Sequence, residues 1–241
     1  LSKKELSVTL LQLDNLKPYQ RNLDKFLNYI ESRQDSDIIV APEVSLTDYD
    51  YDNLEEAVNF GNRAEEILTK VIDKQIFVFT RLIKRGDNFL NEAIVINRHK
   101  VIHRQAKHKL FLLGNEDKYL EPGELEEIKP FEVDGVKYGL MICFELRFKE
   151  IWKRLEGCDI IFIPSQWGLP RKRHLEILSR ALGVMNQCYV LVANSAREDM
   201  ASSSLIASPN GGLIFEDMAE AIDAKIDLNL VKKIRRYIYM G

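Results

Sequence analysis

The chain has 241 residues, of which 34 are Lys or Arg and 37 are Asp or Glu, giving a formal net charge of −3. That near balance excludes a general basic field for nucleic acid and leaves no acidic tail, so a small-molecule partner is the expectation. Three cysteines make no disulfide framework, no Cys/His spacing suggests a metal site, and no apolar run approaches membrane-spanning length.

The opening Leu1-Ser-Lys-Lys-Glu-Leu6 runs into an alternating strand over 6–13 rather than an apolar signal core, which fits a soluble cytoplasmic protein. Leu23, Phe26, Leu27 and Ile30 form the stripe of a helix after Pro18, and 37–41, apolar after its leading Asp37, is a short strand of the kind parallel sheets bury. A long helix over 54–73 leads to a strand at 76–80 and to two more near 89–97 and 101–105. The second half repeats the alternation. Strands at 131–133 and 136–142 flank the hairpin dipeptide Asp134-Gly135, and then come a helix at 146–156, a strand at 158–163, a helix at 171–186 and a strand at 188–194. Three short strands follow near 204–208, 212–215 and 222–227. Two similar halves, each a mostly sequential sheet with helices on one side, bury both sheets when packed face to face. The expected product is an α/β fold, a four-layer α-β-β-α sandwich with two pseudo-symmetric halves, formed as one domain over 1–241.

Within that order, Gly139 to Glu150 places Cys143 where strand residues stop and a helical period begins, with Phe148, Ile151, Trp152 and Leu155 at i, i+3, i+4 and i+7. The first turn of such a helix favours thiolate over thiol and can hold an oxyanion, which makes Cys143 a candidate nucleophile. Cys158 and Cys188 each open an apolar run and read as core strand residues. Sites in open α/β sheets form beyond the carboxyl ends of strands. Glu43 after 37–41, Lys109 after 101–105 and Cys143 after its own strand all meet that rule.

These residues lie in segments that resemble the nitrilase superfamily of carbon–nitrogen hydrolases, whose Glu-Lys-Cys triad is spread over three motifs. Ile38-Ile-Val-Ala-Pro-Glu43 is similar to the apolar strand ending in Pro-Glu. Lys107-His-Lys109-Leu-Phe111 resembles the lysine motif, Glu116 to Gly123 the segment with a second glutamate, and Gly139 to Glu150 the Cys-Tyr-Asp-x-Arg-Phe-Pro-Glu motif. The resemblance implies Glu43 as general base, Lys109 as the cation facing the tetrahedral oxyanion together with the Phe144 N–H, Cys143 as nucleophile and Glu116 as orienting group. It implies no metal and no organic cofactor. Pro164 to His174 and Asn186 to Val190 resemble the branch that includes ω-amidases, which makes Trp167 and Arg171, with Glu145 and Tyr119, candidate substrate-binding residues. The Arg171-Lys-Arg173 run also fits the solvated first turn of a helix.

The implied partner is a small amide, or in an alternative an N-carbamoyl compound, and the implied assembly is a homodimer or larger. Several positions depart from the family pattern. Phe144 and Glu145 stand for Tyr and Asp, Lys149 for Pro, Thr80-Arg81 for Gly-Ser and Ser202 to Ser204 for Gly-x-Ser, while Met185 replaces a carboxylate. The last change keeps open a catalytically silent binding protein.

Overall fold

The computed structural model describes residues 4–238, so the first three residues of the opening segment and residues 239–241 lie outside the described chain. In chain order the elements are β1 (Glu5–Leu11), α1 (Gln20–Ser32), β2 (Ile38–Val40), α2 (Leu54–Val71), β3 (Ile76–Arg85), β4 (Asn88–Asn97), β5 (Lys100–Ala106), β6 (Phe131–Val133) and β7 (Val136–Leu140). Then come α3 (Lys149–Arg154), β8 (Ile160–Ser165), α4 (Lys172–Met185), β9 (Tyr189–Asn194), β10 (Leu205–Ala207), β11 (Leu213–Phe215), β12 (Ala221–Asp227) and α5 (Leu228–Tyr237).

Two six-stranded sheets result, in the orders β12-β1-β2-β3-β4-β5 and β11-β10-β9-β8-β7-β6. Each has three consecutive parallel strands, β1-β2-β3 or β7-β8-β9, joined by crossovers that carry helices. Each then adds two antiparallel strands on one side and one on the other. The pseudo-symmetry is therefore one of pairing as well as of order. It needs one strand to cross over: β12, last in the chain, returns to the first sheet and pairs with β1, Leu6 opposite Ile226.

Apolar residues of both sheets, including Val8, Leu10, Val40 and Val78 from the first and Leu140, Ile161 and Val192 from the second, join in one buried core. A second cluster lies on the other face of the first sheet. There Phe26 of α1 meets Phe77 and Phe79 of β3 edge-on, with ring centroids 5.4 and 6.3 Å apart. On the second sheet α4 packs against β9 and β10 through its buried Leu175 and Leu182. The four layers are those expected from the sequence.

The cysteine junction differs from expectation. Strand β7 ends at Leu140, Cys143–Arg147 is a single 3-10 turn, and α3 is only six residues long because Phe148 adopts extended backbone between the two. Hence no long helix presents its amino end to Cys143. The sulfur sits instead on a tight elbow, with Cys143 at φ +49°.

Candidate active site

The carboxyl ends of β2, β5, β7 and β8 open on one rim, and the side chains there converge. Glu43 follows β2 and is 1% exposed, which forces its carboxylate to find partners inside the protein. Its Oε1 accepts from Tyr49 Oη at 2.6 Å, from Asn91 Nδ2 at 2.9 Å and from Lys107 Nζ at 2.8 Å. Lys107, directly after β5 and fully buried, also reaches Glu116 Oε1 at 2.7 Å and Tyr49 Oη at 3.2 Å. The other oxygen of Glu116 is held by the Phe111 N–H at 3.0 Å. One ammonium thus joins two buried carboxylates.

Lys109 does not take part, which corrects the expectation for it. Its Nζ pairs with Glu150 at 3.1 Å and lies 5.0 Å from the centre of the Phe148 ring, on the outside of the loop. The physical reason is strand parity followed by a bend. His103, Gln105 and Lys107 are buried at alternate positions of β5 and its end. Beyond Lys107 the backbone turns because the N–H groups of His108 and Lys109 both donate to Glu145 Oε1, at 2.6 and 3.4 Å. Had the strand run on, Lys109 would have shared the inward face.

Glu145 is likewise corrected. Its other oxygen accepts from the Ile142 N–H at 2.6 Å and the residue is 0% exposed, so no oxygen is left for a substrate. It ties the lysine loop to the cysteine elbow. Burial pushes its carboxyl up to about 7, although the N–H groups of Ile142 and His108, the Lys107 charge and the Lys109 N–H pull the other way.

Around the sulfur, the Gln166 N–H lies 3.5 Å from Cys143 Sγ. Burial raises the pKa of the thiol, the Glu43 charge and a Glu43 hydrogen bond raise it further, and Lys107 and the Gln166 N–H oppose them. Burial and the Glu43 charge both favour the protonated sulfur, so the expectation of a thiolate preformed by a helix dipole gives way to a thiol that needs a base. Burial also works against the charge on Lys107, but Glu43 and Glu116 outweigh it and raise its pKa. Glu116 is shifted upward by burial and by the Glu43 charge, against the pull of Lys107. Cys158, pushed up to about 12 mainly by burial, and Cys188, also raised, are buried, as their apolar runs suggested.

A small cleft of about 20 Å³ opens on Cys143, lined by Phe111, Phe144, Arg147, Gln166, Trp167 and Arg171. Trp167 and Arg171 thus stand where the sequence put them, and Phe144 contributes its ring, 5.1 Å from that of Phe111. The Arg147 guanidinium stacks 4.7 Å over Trp167 and donates to His174 Nδ1 at 3.1 Å, while that of Arg171 lies 5.0 Å from the Phe111 ring. Tyr119 is corrected: 43% exposed, its ring stacks on Tyr51 at 4.1 Å, and Tyr51 in turn meets Tyr49 of the site.

Sequence reasoning passed over Lys107, Tyr49, Asn91, Arg147 and Gln166. Strand parity was the available signal for Lys107, and Asn91 is a polar residue inside an apolar strand. Among the described residues no group of three or more His, Cys, Asp or Glu is set to hold a metal ion, and no helix is long and apolar enough to cross a membrane.

Comparison with known proteins bears on this arrangement. A family model described as carbon-nitrogen hydrolase matches residues 7–236. The chain is 32% identical over 232 residues to the 2-oxoglutaramate amidase of Bacillus subtilis (strain 168), covering 90% of this chain and 88% of that protein. It is 25% identical over 268 residues to omega-amidase NIT3 of Saccharomyces cerevisiae (strain ATCC 204508 / S288c), covering 98% and 91%. The crystal structure of Saccharomyces cerevisiae Nit3, a member of branch 10 of the nitrilase superfamily, superposes with a TM-score of 0.82 at 22% identity, over 100% of this chain and 96% of that one.

Proposed function

The chain belongs to the carbon–nitrogen hydrolase family, and we propose that it is an amidase that uses Cys143 to cleave the terminal carboxamide of small carboxylic acids, of the 2-oxoglutaramate kind. The observation that carries the reading is the Glu43–Lys107–Glu116 cluster beside a buried thiol in a pocket that two guanidinium groups also line.

In the proposed course, Glu43 takes the thiol proton as Sγ attacks the amide carbon. The carbonyl oxygen becomes an oxyanion that faces the Lys107 ammonium and the Phe144 N–H; loss of one such donor typically costs about 3 to 4 kcal/mol in the transition state. Collapse breaks the C–N bond, Glu43 gives its proton to the departing nitrogen, and ammonia leaves a thioester on Cys143. Water then enters. Glu43 removes a proton from it, Glu116 orients it, and the second collapse releases the carboxylic acid and returns the proton to sulfur. The raised thiol pKa suits this scheme, since a sulfur held towards its protonated form by burial and by the Glu43 charge needs a base to take its proton.

The far end of the substrate is assigned to Arg147 and Arg171, because a guanidinium matches a carboxylate in a bidentate fashion. The small cavity favours a short chain. A cytoplasmic, homodimeric enzyme acting as one domain completes the proposal. The outer face of α4 offers exposed Ile177, Val184 and Met185 for self-association, and a sedimentation profile of a pure monomer at micromolar concentration would remove that part.

The test is a substrate panel. Purified protein is given short ω-amides, N-carbamoyl compounds and nitriles, and ammonia is measured with Cys143→Ala as control. Ammonia from ω-amides only, absent in the control, is expected. Turnover of carbamoyl compounds alone would move the assignment to that chemistry, and silence throughout would leave a binding protein.

A further inference from the structure

One carboxylate outside the catalytic cluster touches the neighbours of both the base and the nucleophile. Asp48, in the loop after β2, has left-handed backbone at φ +57°. Its Oδ1 accepts from the Tyr49 N–H at 2.9 Å and from Gln166 Nε2 at 3.0 Å, and its Oδ2 from the Arg197 guanidinium. Tyr49 is the residue whose hydroxyl donates to Glu43. Gln166 is the residue whose N–H faces the sulfur, and its side chain also donates to the Glu43 carbonyl at 2.9 Å.

The two ends of this chain belong to different halves of the sandwich. Asp48 comes from the first sheet, Gln166 follows β8, and Arg197 lies in the turn after β9. That turn is itself fixed: the Ala196 N–H reaches the Leu13 carbonyl at 3.0 Å and the Leu169 N–H reaches Asp199 at 2.9 Å, while Arg197 shares its guanidinium with Asp199. Each link is charge-assisted or part-buried, the condition under which such bonds hold geometry rather than exchange with water.

We infer that Asp48, held by Arg197, is a positioning residue that sets the Gln166 N–H against the Cys143 sulfur and the Tyr49 hydroxyl against the Glu43 carboxylate. It therefore controls how readily the thiol is ionised and presented, without touching the substrate itself. This rests on the reading of Cys143 as nucleophile.

Position 48 permits a clean test, because glycine adopts positive φ without strain. Asp48→Gly removes the carboxylate and leaves the backbone its preferred conformation; Arg197→Met removes the tether from the other side. Asp48→Asn keeps an oxygen for Tyr49 and Gln166. The measurements are kcat and KM for the amide substrate, and the pH profile of Cys143 alkylation by iodoacetamide, followed by peptide mass. Asp48→Gly and Arg197→Met are expected to lower kcat about tenfold or more with KM within about threefold, and to displace the alkylation profile to higher pH; Asp48→Asn is expected to stay within about threefold of the parent. A role confined to stability would lower melting temperature and leave the alkylation profile in place, which would overturn the inference, as would unchanged kcat in both variants. If instead Cys143→Ala keeps full turnover, the nucleophile reading is the one that fails, and the result is separate from the behaviour of position 48.

Discussion

The two lysines at 107 and 109 give the sharpest consequence of the site geometry, because they lie two residues apart and differ only in where the fold puts them. Lys107→Met removes an ammonium that is 2.8 Å from Glu43 and 2.7 Å from Glu116, both buried. The catalytic loss expected for one oxyanion donor is about 10²–10³ in kcat. The variant also leaves two carboxylates facing one another without their shared cation. Breaking a buried pair from one side costs roughly 3–5 kcal/mol, and in a chain of this size each kcal/mol moves the melting temperature by about 2–4 °C, so a fall of roughly 6–20 °C follows. Lys109→Met breaks only an ion pair whose side chains are 29% and 49% exposed, of the class worth about 0–1 kcal/mol, and kcat should stay within about twofold. The double change Lys107→Met with Glu116→Gln separates the two effects: it removes one of the stranded charges and should recover part of the melting temperature while activity stays lost. Ammonia release and thermal unfolding on the four proteins are sufficient. A dead Lys109→Met beside an active, stable Lys107→Met would refute the parity argument and return the role to Lys109.

Glu145→Gln probes the buried clamp between the lysine loop and the cysteine elbow. A carboxyl raised from 4.5 to about 7 binds its proton more tightly when folded, so its penalty is absent below about pH 4.5 and complete above about 7. It amounts to about 3 kcal/mol at 1.36 kcal/mol per unit. The melting temperature of the glutamine variant relative to the parent should therefore rise between pH 5 and pH 8, and a constant difference would contradict the assignment. Arg147→Leu and Arg171→Leu should each raise KM for a carboxylate-bearing amide by tenfold or more while sparing an uncharged amide of the same length; equal losses on both would deny them carboxylate recognition. Trp167 Nε1 is buried with no hydrogen-bond partner among the described residues. A buried donor of this kind calls for a partner, so Trp167→Phe should weaken binding of a 2-oxo amide more than of its analogue lacking the oxo group, and identical KM changes for the two would exclude that contact.

Much of the architecture could be read from alternation alone. The strands at 76–80, 89–97 and 188–194 fall where the structure has β3, β4 and β9, and Glu43 and Cys143 lie past strand ends as the sheet rule requires. What periodicity could not give was the conformation of short, irregular connections. Phe148, Ile151, Trp152 and Leu155 have helical spacing, yet the segment from Cys143 divides into a 3-10 turn and a six-residue helix, since an extended Phe148 interrupts it. The basic run at 104–109 carries Arg104, His108 and Lys109 besides Lys107, and composition does not say which of them turns inward. Only the burial of β5 and the Glu145 anchor decide which one faces inward. Nor does local sequence reveal that β12 crosses to the first sheet, because pairing with β1 is a contact more than two hundred residues away along the chain.

In the proposed course Cys143 becomes covalently attached to the acyl half of its substrate. Acid-quenching the enzyme during turnover of a short ω-amide and mapping peptides by mass tests this directly. The Cys143 peptide is expected to gain the mass of the amide less ammonia, Cys158 and Cys188 to gain none, and Cys143→Ala neither to gain mass nor to release ammonia. Sustained ammonia release by Cys143→Ala, with no acyl mass on the parent's Cys143 peptide, would contradict it.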